Sequence, residues 1–149
     1  MMNTYKSTGK NKSKLRIEDH HFTHLVFNFI SSIGGGQQLS LSDEKLEAKV
    51  ILDRKACRII VELSFNTTAT EGDQKIFNLS TGYKGVFVYE ETTEASSITN
   101  FSKINAPAII YPFFRAAIAG ITLAVGVPPL TLPIINFTKY PVVIQEISN

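Results

Sequence analysis

The chain has 149 residues, with 15 Lys+Arg against 13 Asp+Glu, 44% hydrophobic and 19% charged residues, one Cys and no Trp. That length suits one domain with a core of its own, and the composition excludes a chain disordered throughout. A single Cys excludes an internal disulfide, a zinc knuckle and a cysteine-held Fe–S cluster, and points to a reducing compartment, the cytoplasm.

The charge is unevenly spread. Five of the 15 cations (Lys6, Lys10, Lys12, Lys14 and Arg16) precede residue 17 with no acid among them, leaving ten cations against 13 acids. Residues 1–14 therefore read as a disordered basic tail, and 15–149 as a single, mildly acidic domain. A nucleic-acid binder carries its positive charge on the folded surface, so no nucleic-acid partner is expected.

Residues 23–30 (THLVFNFI) are rich in β-branched and aromatic side chains and predict a strand. Gly34, Gly35 and Gly36 mark a loop. Leu46, Ala48, Val50 and Leu52 alternate on one face, as do Cys57, Ile59, Val61, Leu63 and Phe65. The polar turn at 53–55 between them makes a hairpin. Residues 67–73 predict the next turn, and 75–89 a long strand. Gly82 and Gly85 within it mark a bulge or a close approach by another segment. After an acidic turn at 90–94, residues 105–125 predict a long helix. Pro107 is tolerated near its start, whereas Pro112 predicts a kink or the true start. Gly126 suits the C-terminal cap, with Pro128 just beyond. Strands first and helix last predict an α+β fold: a four-stranded antiparallel sheet with a long helix packed on one side.

Arg115 is the only charge between residues 106 and 135. Residues 116–135 are uncharged over about the length of a membrane span, but Pro128, Pro129 and Pro133 break a continuous helix. Two readings stand. One is a buried helix and an extended apolar segment, covered by another subunit. The other is a small membrane-associated protein inserted through 116–135.

No catalytic constellation is present. His20, His21 and His24 lie together beside Asp19 without the further ligands a closed metal site needs, so they read as a polar edge. Cys57, on the apolar face of its strand, reads as a buried, inert thiol. The triple glycine lacks the Gly-Lys-Ser/Thr ending of a phosphate loop. No enzyme, metal or cofactor is expected. The surplus is apolar instead. Residues 127–137 are apolar at nearly every position, yet their prolines bar them from a central sheet ladder. Such a segment lies across a surface and leaves an apolar groove, the usual mark of a protein-binding site.

Three stretches, in order and spacing, resemble the SecB family of export chaperones: Gly85-Val86-Phe87, Asn105-Ala106-Pro107-Ala108-Ile109-Ile110-Tyr111-Pro112-Phe113-Phe114-Arg115, and Gly126-Val127-Pro128-Pro129-Leu130-Thr131-Leu132-Pro133-Ile134-Ile135-Asn136-Phe137. The family has a Gly-Ile-Phe strand end, a Pro-x-x-Leu-Phe-Pro-Tyr-Ala-Arg helix opening and a proline-broken Leu-x-Leu-x-Pro-x-Asn-Phe loop. The resemblance covers residues 75–137. It implies a homotetramer, a dimer of dimers with the long helices buried between dimers. It also implies an ATP-independent holdase that keeps unfolded preproteins translocation-competent in an apolar groove. By position that groove would draw on Tyr83, Val86 and Phe87 from the sheet, Phe113 from the helix, and Leu130, Leu132 and Phe137 from the loop. Asn78 and Ser80 are neutral where the family carries an acidic surface for the SecA motor. A second branch of the family protects an antitoxin as its dedicated client. After Asn136-Phe137 the family continues in a helix, whereas Pro141, Val142 and Val143 suit a short strand or a truncated helix.

Overall fold

A computed structural model describes residues 15–34 and 38–147. The basic tail expected at 1–14 lies outside them. The element order is β1 (Leu15–Phe29), β2 (Ser40–Asp53), β3 (Arg58–Glu71), β4 (Gln74–Tyr89), α1 (Ala95–Asn100), a π-helical turn (Phe101–Asn105), α2 (Ala106–Ala124) and β5 (Val143–Ile147). The expected four antiparallel strands are present, and a fifth joins them. The sheet order is β1-β4-β3-β2-β5, with β5 parallel to β2.

Register follows from the period-two pattern, because a one-residue slip would turn every apolar side chain outward. Val50 faces Val61, Leu52 faces Ile59, and Ile59 in turn faces Phe87. All five side chains are buried on the helix side of the sheet. Strand β3 starts at Arg58 and ends at Glu71, so the turn expected over 67–73 shrinks to its last residues. Cys57 falls in the β2–β3 turn with φ 54, half-buried, and not on the apolar strand face. The regular alternation runs only from Ile59 to Phe65, and Cys57 precedes the strand. Strand β1 begins at Leu15, well before the predicted start. Two irregularities, between Ile17 and Asp19 and between Phe22 and His24, break its period.

Helix α2 lies over β3 and β4. It can approach closely because a Cβ at Gly85 would sit only 2.3 Å from Ile110 Cδ1. Gly82 points to the other face, where a Cβ would meet the side chains of His24 and Thr23 at 2.6 Å. The helix is continuous through Pro112, so of the two expected roles Pro112 does not mark its start. The carbonyl that Pro112 leaves without a donor belongs to Ala108, on the exposed side, where water can satisfy it. Helix α2 ends in a Schellman motif: Gly126 N–H donates to Leu123 O at 3.1 Å and Val127 N–H to Thr122 O at 3.2 Å. Gly126 takes φ 91, which glycine adopts freely.

The helical run Ala95–Ala124 has the length and mean hydropathy of a membrane span, and 39% of that window is buried within the fold. The stretch 116–135 is not one helix. Its second half is an extended crossover segment with Val127, Leu130 and Leu132 buried. After Phe137, the choice between strand and helix falls to strand. Tyr140 Oη donates to Leu46 O at 2.5 Å and leads the chain onto the β2 edge. There Arg54 bridges Glu146 of β5 at 2.5 Å and Thr99 of α1 at 3.0 Å.

Candidate functional site

The crossover segment has no ladder partner, so its backbone needs other hydrogen-bond partners. Three side chains on one face of α2 provide them. Tyr111 Oη donates to Pro133 O at 2.6 Å, Arg115 Nε to Leu132 O at 2.9 Å, and Thr122 Oγ1 accepts from Leu130 N–H at 2.9 Å. The Thr122 hydroxyl proton has the carbonyls of Ile118 and Ala119 as acceptors at 2.9 and 3.0 Å. Burial pushes the Tyr111 phenol up to about 12, outweighing the nearby Arg115 charge, with Tyr140 adding to the rise.

Held this way, the segment forms one wall of a groove. Pro128, Pro129, Leu130 and Thr131 face Leu39, Leu41, Ala69 and Phe77 across a cavity of about 180 Å³. No lining residue is charged. Leu41 is 36% exposed and Leu130 is 8% exposed, so the sheet edge is the open side. Apolar surface in such a cleft is a favourable place to bury an apolar side chain.

The seven residues assigned by position are dispersed over the fold, and only Leu130 lines this groove. Leu132 is buried, 1% exposed, and does not line it. Phe137 packs on Tyr111 and Tyr140, with ring centroids at 5.5 and 5.9 Å. Tyr83 and Phe87 are under the helical layer. Tyr83 meets Phe114 at 5.4 Å and Phe22 at 5.3 Å, and Phe87 meets Phe101 at 5.2 Å. Val86 faces the opposite side of the sheet, between Asp19 and Ile60. Phe113 is exposed on α2 and stacks on His20 at 4.2 Å.

The groove residues that sequence reasoning missed are Leu39, Leu41 and Ala69. Phe77 lies in the predicted strand 75–89, with no site role assigned to it there. Leu39 and Leu41 do alternate at the start of β2, which was the one available signal.

The histidines do not converge. His20 shares a 2.5 Å hydrogen bond with the Tyr83 hydroxyl on the helix side. Burial raises the Tyr83 pKa, and the Asp19 carboxylate adds to the rise. His21 pairs with Asp19 at 2.9 Å, and His24 reaches Ser80 at 3.3 Å on the outer face. Among the described residues no group of three or more His, Cys, Asp or Glu side chains is placed to hold a metal ion.

The model of the preprotein translocase subunit SecB family matches residues 38–142, from the end of the glycine loop to the start of β5. The chain belongs to the SecB family. A protein-export protein SecB of Dinoroseobacter shibae is 30% identical over 104 residues, 70% of this chain and 60% of that protein. One of Orientia tsutsugamushi strain Ikeda is 28% identical over 136 residues, 89% of this chain and 82% of that protein. The chain thus spans about 60% of the length of the first of these SecB relatives. A solved SecB-like chaperone of Mycobacterium tuberculosis, Rv1957, shares the fold with a TM-score of 0.67 at 18% identity, covering 82% of this chain and 91% of that one. That structure holds a ChAD peptide from the HigA1 antitoxin.

Proposed function

We propose that this SecB-family chain is a cytoplasmic, ATP-independent holdase that binds extended apolar segments of unfolded proteins. The observation that carries the reading is the uncharged groove between the crossover segment and the start of β2. Its relatives are named for protein export, and the fold is shared with a chaperone solved with an antitoxin peptide. Both client kinds, preproteins and a dedicated antitoxin, suit an apolar groove, because burial without fine shape matching tolerates many sequences. At about 25 cal/mol per Å², a few buried client side chains contribute several kcal/mol, part of it offset by ordering the client. Nothing in this reading requires a reaction or a nucleotide.

The same reading assigns an assembly. Ile109, Phe113, Ala116, Gly120 and Leu123 form an exposed, uncharged stripe along α2, with Leu123 63% exposed. An apolar stripe of that kind suits a second copy of the chain, in keeping with a dimer of dimers whose long helices are buried. On the outer sheet face, Asn78 pairs with Thr68 through a 2.9 Å hydrogen bond and Ser80 with His24. That neutral patch offers no acidic docking surface, so client binding is assigned here without SecA.

The test is light scattering from a chemically unfolded secretory protein diluted with and without the purified chain, in the absence of nucleotide. Suppressed aggregation is expected. Leu41→Asp and Leu130→Asp are expected to weaken suppression while the oligomer persists. Full suppression by both variants would sink the groove placement.

A further inference from the structure

Strand β2 is only partly paired on its outer side. β5 covers it from Lys49 to Asp53, and Tyr140 occupies the Leu46 carbonyl. Among the described residues no strand pairs with the outer edge over 40–47. This open length begins beside the groove, since Leu41 lies on it and lines the groove, with Leu39 just before.

The direction of the backbone groups there is fixed by β3. Thr67 Oγ1 donates to Ser42 O at 2.9 Å, and Thr70 Oγ1 to Ser40 O at 3.4 Å. The Ser40 and Ser42 carbonyls are therefore turned toward β3. Because strand residues alternate in direction, the Leu41 N–H and C=O point away from β3, to the open edge. A bulge between Ser42 and Lys45, with Asp43 at φ 52, ends this edge on the far side. A row of unpaired donors and acceptors is a template for another strand. The chain already uses this edge, because its own β5 docks further along the same lane.

We infer that a client enters by strand addition: an extended segment of an unfolded protein pairs with the Leu41 backbone, in continuity with β5. The inference rests on the holdase reading and names its mode of recognition. Residues opposite one another on paired strands share a face. The client side chain beside Leu41 would therefore drop into the groove toward Leu130 and Phe77, and the one two residues along would lie beside Leu39. The ligand class is an extended segment with apolar side chains at alternate positions. Backbone pairing recognises any sequence, and the groove selects for the alternation.

The test uses the intact chain and a labelled decapeptide with Phe and Leu two residues apart in a Ser, Thr and Lys background. Two further versions carry N-methyl groups on alternate backbone nitrogens, one in each phase. Side chains are unchanged in all three. The apolar pair pins the register, so only one phase presents its N–H groups to β2. That version is expected to bind at least about tenfold more weakly, the loss of one or two backbone hydrogen bonds, while the other phase binds like the parent. Equal binding by both phases, or an equal loss in both, overturns strand addition and leaves the apolar groove standing. Failure of the parent peptide to bind overturns the groove reading as well.

Discussion

The seat of α2 on the sheet can be tested at one contact. A Cβ placed at Gly85 would lie 2.3 Å from Ile110 Cδ1, 2.5 Å from Cγ1 and 3.1 Å from Cγ2. Ile110 is fully buried. Its β-branched side chain holds one strongly preferred rotamer in a helix, and all three contacts are too short, so rotation has little to offer. Gly85→Ala must therefore shift the helix or strain the core, at about 1–3 kcal/mol. The lower unfolded-state entropy of Ala offsets about 0.4–1 kcal/mol of that. Ile110→Ala alone should cost about 2–5 kcal/mol through the space it leaves. In the double variant the new methyl enters that space. The double variant should then be more stable than the sum of the two losses, by about 1–3 kcal/mol. Urea unfolding at one fixed protomer concentration measures all four species, since assembly would make stability concentration-dependent. Strict additivity would refute the contact. So would a Gly85→Ala chain as stable as its parent.

Three further outcomes follow from the same packing. Thr122→Val leaves the buried Leu130 N–H without its acceptor, which should cost about 1–3 kcal/mol. Hydrogen exchange at the Leu130 amide should rise, and unchanged protection would remove Thr122 from the clamp. Tyr111 carries its proton up to about 12 when folded, chiefly through burial. Unfolded tyrosine ionises near 10, so its contribution is intact below about pH 10 and is lost as pH climbs toward the folded value. Alkaline unfolding of Tyr111→Phe should show a shallower decline across that window, with the raised Tyr83, Tyr89 and Tyr140 supplying what remains. An identical slope would contradict the assignment. Ala116→Glu places a charge in the centre of the exposed α2 stripe. Light-scattering mass should fall below that of the parent assembly, and an unchanged mass would exclude the stripe as the subunit contact.

The sheet was legible wherever one face is buried and the other is not. Val50, Leu52, Ile59, Val61 and Leu63 follow the period closely and are buried. Strand β1 was read only from Thr23, because its first half carries histidines and acids and two irregularities break the alternation. The crossover segment was legible from its prolines, and Gly126 from its position past the last apolar turn. The groove was harder. Its two walls, at 39–41 and 128–131, are brought together only by the fold. Tyr83 and Phe87 were assigned to it by position through the family resemblance, but the helical layer covers them. Val86 could have been separated from Phe87 on the sequence alone, because adjacent strand residues face opposite sides.

The lone charge of the apolar half shows how such a groove can hold its shape. Arg115 does not face a carboxylate; it donates to the Leu132 carbonyl, one helical turn from Tyr111 on Pro133. With Thr122 on Leu130, three polar groups of α2 satisfy a segment whose prolines and sequence bar it from a sheet. The segment can then be apolar along its length without leaving buried backbone groups unpaired. The groove wall is therefore set by the helix before any client arrives. Under the proposed holdase function, little of the binding free energy is then needed to order the site itself, and most of the ordering cost falls on the client. A preformed wall on one side and an open strand edge on the other is the arrangement that one extended, apolar, otherwise unspecified chain segment can enter.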